Sequence, residues 1–504
     1  MRAWRAGLVV CWLAAGCGEP FLEESPPPEA LVDEAGELSA QVCPPRVGEA
    51  RRVKVILPPS MFFARFAEQP ESFVEFRGQL AFAINFEDRH MALWRSDGTE
   101  AGTVEVKAFP PLPSFGFDRL RGLTPAGDKL FFLASEAATG SELWVTDGTS
   151  GGTAQVADLT PGTEGSSLSH LEGLGSRLVF IRELPGPPGR VELWRSNGTT
   201  AGTQRLVDFG PDTSVSFQEL RLGDTLLFFV SSAVRGTELW KTDGTAAGTG
   251  RVRRLDAGQV GIFDVRTTGG MGFFTLFDEG GLTEVWKTDG TVGGTLRLRT
   301  FGPSVFPRLL HALGAHLYLA STDAATLRMR IDRLRTDGSG VREHVVTLPN
   351  PFADQPDAFP SLNEVSLADG RIFFSMAIGT SGPAPRDTQL WVTDGTRAGT
   401  RLLRRPLSLS DEYGSPIYAV SDQLAFFTAF EAETAGIEPW VTDGTVGGTR
   451  RLKDVAPGRE GSYTRSFLRV GNRLFFSAYD DTLAGQLWSV PLQRSCMAGM
   501  GGLP

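Results

Sequence analysis

The phrase "TELWKTDGTAAGT" at residues 237–249 returns almost letter for letter as "TEVWKTDGTVGGT" at 283–295. A chain that keeps respelling one phrase is built from equivalent structural units, and the spacing limits what those units can be. The tryptophan of the phrase, or its replacement, falls at Trp94, Trp144, Trp194, Trp240, Trp286, Leu334, Trp391, Trp440 and Trp488, in steps of 46 to 57 residues. There are nine such units.

Each unit has the same internal grammar. In the fourth, "VSFQELRL", "TLLFFVSS", "TELWKT" and "TGRVRRL" are short runs rich in aromatic and β-branched residues, parted by "GD", "AVRG" and "DGTAAG". Four such runs between turn residues predict a four-stranded antiparallel meander. The second run is apolar on both faces, so both faces must be covered. No stretch holds a helical period. The expectation is an all-β chain folded as a single β-propeller of four-stranded antiparallel blades, nine in number, with eight as the alternative count. Sixty glycines and 32 prolines suit that many tight turns.

The Asp-Gly-Thr triplet between two strands is a hairpin signal. Asp97, Asp147, Asn197, Asp243, Asp289, Asp394 and Asp443 are read as structural turn residues, with the tryptophans as plates between blades. A metal role fits poorly, because calcium takes six to eight oxygens and one carboxylate per turn is thin. Asn197 also replaces the acid in the third unit. No metal and no cofactor are expected. The phrase closely resembles the ELWxxDGT repeat of bacterial exported proteins, over roughly residues 50–492. That resemblance implies a propeller-like repeat domain and no particular activity.

The ninth unit, "QLWSVPL", has neither a DGT turn nor a fourth strand, while "EARRVKVIL" at 49–57 reads like a spare fourth strand. An N-terminal strand is therefore predicted to close the ring, which otherwise leaves a bare sheet edge. Cys43 and Cys496 flank the two pieces and are predicted to form a disulfide.

At the start of the chain, two arginines precede an apolar run ending in "LAAGC". The run is too short to span a bilayer. It resembles the lipobox of bacterial lipoproteins, which implies removal of a signal peptide at 1–16 and lipidation of Cys17. Residues 17–45 then form an acidic, Pro-rich tether, 46–495 the propeller and 496–504 a short tail. Gly18 and Glu19 after the cysteine imply the outer membrane as destination.

A net charge of −10 argues against a nucleic-acid partner. His90, His170, His311, His316 and His344 show no metal-ligand spacing, and no P-loop, GxSxG or CxxC occurs. The connections opposite the DGT turns vary in length and content, as a binding surface requires. An acidic residue follows the second strand in most units, at Glu136, Glu183, Asp278, Asp323, Glu431 and Asp480. These either form a binding face for cations or a basic partner, or cap strand ends in water. The functional expectation is a lipid-anchored, non-enzymatic propeller of the cell envelope that binds protein or polysaccharide. Alternatives are a glycan-active hydrolase or lyase and a quinone-cofactor dehydrogenase.

Overall fold

A computed structural model of the chain describes residues 45–59, 68–111, 119–382, 385–407, 417–420, 424–431, 436–458 and 461–494. No helix occurs among them. The strands fall into nine antiparallel sheets, each with the order of a simple meander. Blade one comprises Glu71–Phe76, Gln79–Asn85, Met91–Ser96 and Val104–Phe109, and the later blades repeat it. The first strand of each blade is innermost. Glu71–Phe76 packs on the first strand of blade two, Arg121–Ala126, and also on that of blade nine, Arg465–Val470. The nine blades therefore close into one ring.

What holds the ring is apolar burial between sheets. Nine apolar clusters stand among the described residues, each drawn from two neighbouring blades. Leu130 to Ala134, in the second strand of blade two, are all buried, as a strand covered on both faces must be. Trp144 is cross-strand partner to Phe132 and lies edge-on against Phe109 of blade one, 5.0 Å between ring centroids. The same plate recurs where Trp240 meets Phe209 of blade three at 5.3 Å. Blade six, with Leu334 in the tryptophan's place, still fills its interface, since Leu334 is fully buried.

The missing strand of blade nine comes from the N-terminal side, in two pieces. Arg51–Lys54 pairs with Gly485–Arg494 through Arg51↔Ser489 and Arg52↔Trp488. Pro45–Val47 continues along the same partner through Pro45↔Arg494 to Val47↔Leu492. The break between them lies opposite Pro491, which has no N–H to donate to a ladder. There the Gly48 N–H donates to the Pro491 carbonyl at 2.9 Å instead. Ala50, Val53 and Leu57 are buried by the closure.

Cys17, Cys43 and Cys496 lie outside the described residues. The pair Pro45↔Arg494 stands two positions inside Cys43 and Cys496 on either strand. Mass spectrometry of unreduced, protease-digested protein is expected to find these cysteines in one linked peptide pair. Free thiols at both positions would remove the bridge.

Candidate functional site: the two turn faces of the ring

Because strands alternate direction, the first-to-second and DGT turns share one face. The second-to-third turns and the links between blades share the other. On the first face the DGT turn is rebuilt almost identically in seven of the nine blades, the exceptions being the shortened Asp337–Ser339 turn of blade six and blade nine, which has none. Asp243 Oδ1 accepts the backbone N–H of Thr245 at 2.8 Å and its hydroxyl at 2.7 Å. Thr245 Oγ1 in turn accepts the Gly248 N–H at 2.9 Å, and the Thr249 hydroxyl donates to the Thr245 carbonyl at 2.6 Å. A Cβ on Gly248 would lie 2.2 Å from the Asp243 carboxyl, so only glycine fits. Asp97, Asp147, Asp289, Asp394 and Asp443 make the same bonds. Donation by the threonine hydroxyl, above all, holds Asp97, Asp147, Asp243 and Asp289 below the ordinary carboxylate range.

Asn197 carries the same two bonds through its Oδ1, at 3.0 and 2.8 Å. One oxygen is used and no net charge is needed, which suits a turn and not a cation site. Asp243→Asn is accordingly expected to stay within about 0.5 kcal/mol of wild type. Asp243→Ala, which strands the turn donors, should cost about 1 kcal/mol. Thermal unfolding with and without calcium checks this. Stabilisation by calcium that Asp243→Asn abolishes would assign the turn a metal.

A second acid, two residues before the tryptophan, was not singled out by the sequence pattern. It has two uses. In blades three to five Glu192, Glu238 and Glu284 accept the indole N–H of Trp194, Trp240 and Trp286 at 2.8 to 2.9 Å. Each also pairs with an arginine of the fourth strand: Arg205, Arg251 and Arg297. In blades two and eight it turns instead to the link with the next blade. Glu142 accepts from Leu159 N–H and Ser166 Oγ, and Glu438 from Val455 N–H, Ala456 N–H and Ser462 Oγ. Gln486 does this for the closing segment, accepting Ile56 N–H at 2.9 Å and donating to the Leu57 carbonyl at 2.7 Å. The indole N–H groups of Trp144, Trp440 and Trp488 are then left without partners, as is that of Trp94, where the acid is replaced by Ala92. Burial pushes Glu142 up, and Glu438 up to about 7.

On the opposite face the acids after the second strand do not form one set. Asp278 Oδ1 accepts the Leu282 N–H at 2.8 Å, and Asp323 Oδ1 accepts Ala325 and Thr326 N–H, both at 3.0 Å. Each caps its own turn. Glu136 is half-buried and Glu183 exposed, while the side chain of Glu431 lies outside the described residues. Asp480 corrects the expectation of an exposed carboxylate. It is 1% exposed, bonded to Thr482 at 2.6 Å and paired with Arg52 of the closing strand at 2.5 Å. The face does expose aromatics: Phe263, Phe306 and Phe359 are 52%, 41% and 49% accessible.

No protein-family model matches the chain, and no curated protein is similar to it. Among solved structures, a prolyl endopeptidase is 13% identical at a TM-score of 0.40, over 73% of this chain and 55% of that one. The WD40 domain of SCAP from fission yeast is 8% identical at 0.39, over 88% and 98%. The β-propeller domain of the Trilobed protease from Pyrococcus furiosus is 13% identical at 0.34, over 64% and 95%. The chain spans little more than half of the peptidase chain. Likenesses this loose carry no argument about chemistry. The propeller rests on the strand pairing itself.

Proposed function

We propose that the chain is a lipid-anchored, non-enzymatic propeller of the cell envelope, a member of the ELWxxDGT repeat proteins. It acts as a binding or scaffold module for protein or polysaccharide. One observation carries the binding part: the two faces of the ring are unequal. The DGT turns repeat one internal bond set, whereas the opposite face changes from blade to blade and leaves large aromatic rings in water. The anchor rests on the "LAAGC" stretch and the acidic segment after it. Cys17→Ser is expected to move the full chain from the membrane fraction to the soluble fraction, because lipidation needs the thiol. Identical fractionation of variant and wild type would remove the anchor. Envelope extract passed over the immobilised soluble variant then tests binding, with retained partners mapped by cross-linking. Cross-links confined to the DGT face would overturn the assignment of the binding surface.

A further inference from the structure

Between blades six and seven, on the variable face, lies a cavity of ≈ 310 Å³, a size at the lower end of ligand sites. Phe306 and Phe359 flank it, Met329 and Leu362 add apolar wall, and Arg308 is its one charged lining residue. The two phenylalanines hold the same place in their blades. Each lies three residues before a first-strand leucine, Leu309 or Leu362, paired to the second strand at the same level. At that place blades three, four, five and nine carry Gly165, Asp212, Gln259 and Gly461, all small or polar. Among the described residues, these two adjacent blades place exposed rings there, and both rings border one cavity. Phe306 extends the apolar surface outward, with ring centroids 5.4 Å from Phe263 and 5.3 Å from Phe277.

Arg308 is held in position before any ligand arrives. Its Nε and Nη2 sit on the carboxylate of Asp264, at 2.8 and 3.0 Å, and Asp264 is 3% exposed. The remaining Nη1 has only a 3.5 Å contact, with the Leu362 carbonyl. A guanidinium fixed in this way presents unspent donors at no further ordering cost.

We infer that this cavity binds an acidic polypeptide segment, with a bulky apolar side chain between Phe306 and Phe359 and a neighbouring carboxylate on Arg308. The unspent Nη1–H donors of Arg308 select an acceptor, and a carboxylate takes such donors more strongly than a neutral oxygen does. The ring geometry favours a side chain over a sugar. Phe263, Phe277 and Phe306 meet at 73° to 88°, so they present no flat shared platform.

The inference rests on the reading of the variable face as a binding surface and is tested apart from it. A random-peptide display library is selected on the full chain in detergent, with Phe306→Ser/Phe359→Ser as counter-target. Neither ring belongs to the apolar clusters between blades, so this variant should fold, and its melting temperature is measured as the control. Enriched peptides should pair an aromatic or large aliphatic residue with Asp or Glu. Fluorescence anisotropy should then show at least a tenfold loss of affinity in the double variant, and a similar loss on changing the peptide's Asp to Lys. Equal enrichment on both proteins, basic winners, or glycan-array binding abolished by the double variant would each overturn the inference. If envelope partners bind wild type and double variant alike, this cavity falls while the broader reading stands.

Discussion

Deleting residues 45–57 is expected to lower the stability of the ring by several kcal/mol and to increase self-association. Val53 and Leu57, 8% and 2% exposed, leave the interface between blades nine and one. Their burial stabilises by about 1.5–3 kcal/mol each. Two polar consequences add to this. Gln486, 1% exposed, loses the backbone partners supplied by Ile56 and Leu57. Asp480 loses Arg52 and keeps a buried charge with only its own turn to satisfy it. The strand Gly485–Arg494 becomes a bare edge, which invites pairing with another chain. Thermal unfolding followed with light scattering reads both effects. An unchanged melting temperature and a monomeric mass would show that eight complete blades and one short one suffice.

The second large effect is expected at the inter-blade plate. Trp144 is 4% exposed, stands edge-on to Phe109 at 88°, and has the Lys107 ammonium 5.3 Å from its ring. Its indole N–H has no partner, so what Trp144→Ala removes is apolar packing and the Lys107 contact, with no hydrogen bond. Emptying such a site costs about 3–5 kcal/mol. Trp144→Phe should cost far less, because no hydrogen bond is at stake. The contrast with blade four is informative: Trp240 is half-buried and bonded to Glu238, so Trp240→Phe also strands an acceptor. Denaturant midpoints of the four single variants, Ala and Phe at both sites, separate packing from hydrogen bonding. Equal losses for Trp144→Phe and Trp144→Ala would show that indole shape rather than buried volume matters there.

The repeat made the architecture legible because each blade is specified locally. Turn residues, alternating runs and the recurrent tryptophan all lie within about 50 residues, the scale of one propeller blade. The spare strand was legible for the same reason: blade nine is visibly short of one piece. Its break was not, because the cause, Pro491, sits on the partner strand. The double use of the acid in "ELW" was hidden by identical spelling. Glu142 and Glu238 are both followed by Leu-Trp, yet one serves a link and the other its own indole. The sign lay elsewhere, in the matching links "DLTPGTEGS" at 158–166 and "DVAPGREGS" at 454–462. In both, a glycine meets the blade so closely that a Cβ on Gly165 or Gly461 would strike backbone at 2.3 or 2.1 Å. Asp480 was misjudged as exposed because its arginine lies 428 residues away in sequence. No local pattern announces such a partner.

The side-by-side pairing of Pro45 with Arg494 also makes the chain's starting point arbitrary. If those two ends were joined and the ring opened in any other link between blades, all nine inter-sheet interfaces would survive. Only one antiparallel seam would pass from separate chain segments to a continuous hairpin. A circular permutant opened between blades four and five would carry both termini to the far side of the ring from their present place. The fold itself leaves the position of the chain ends around the ring free.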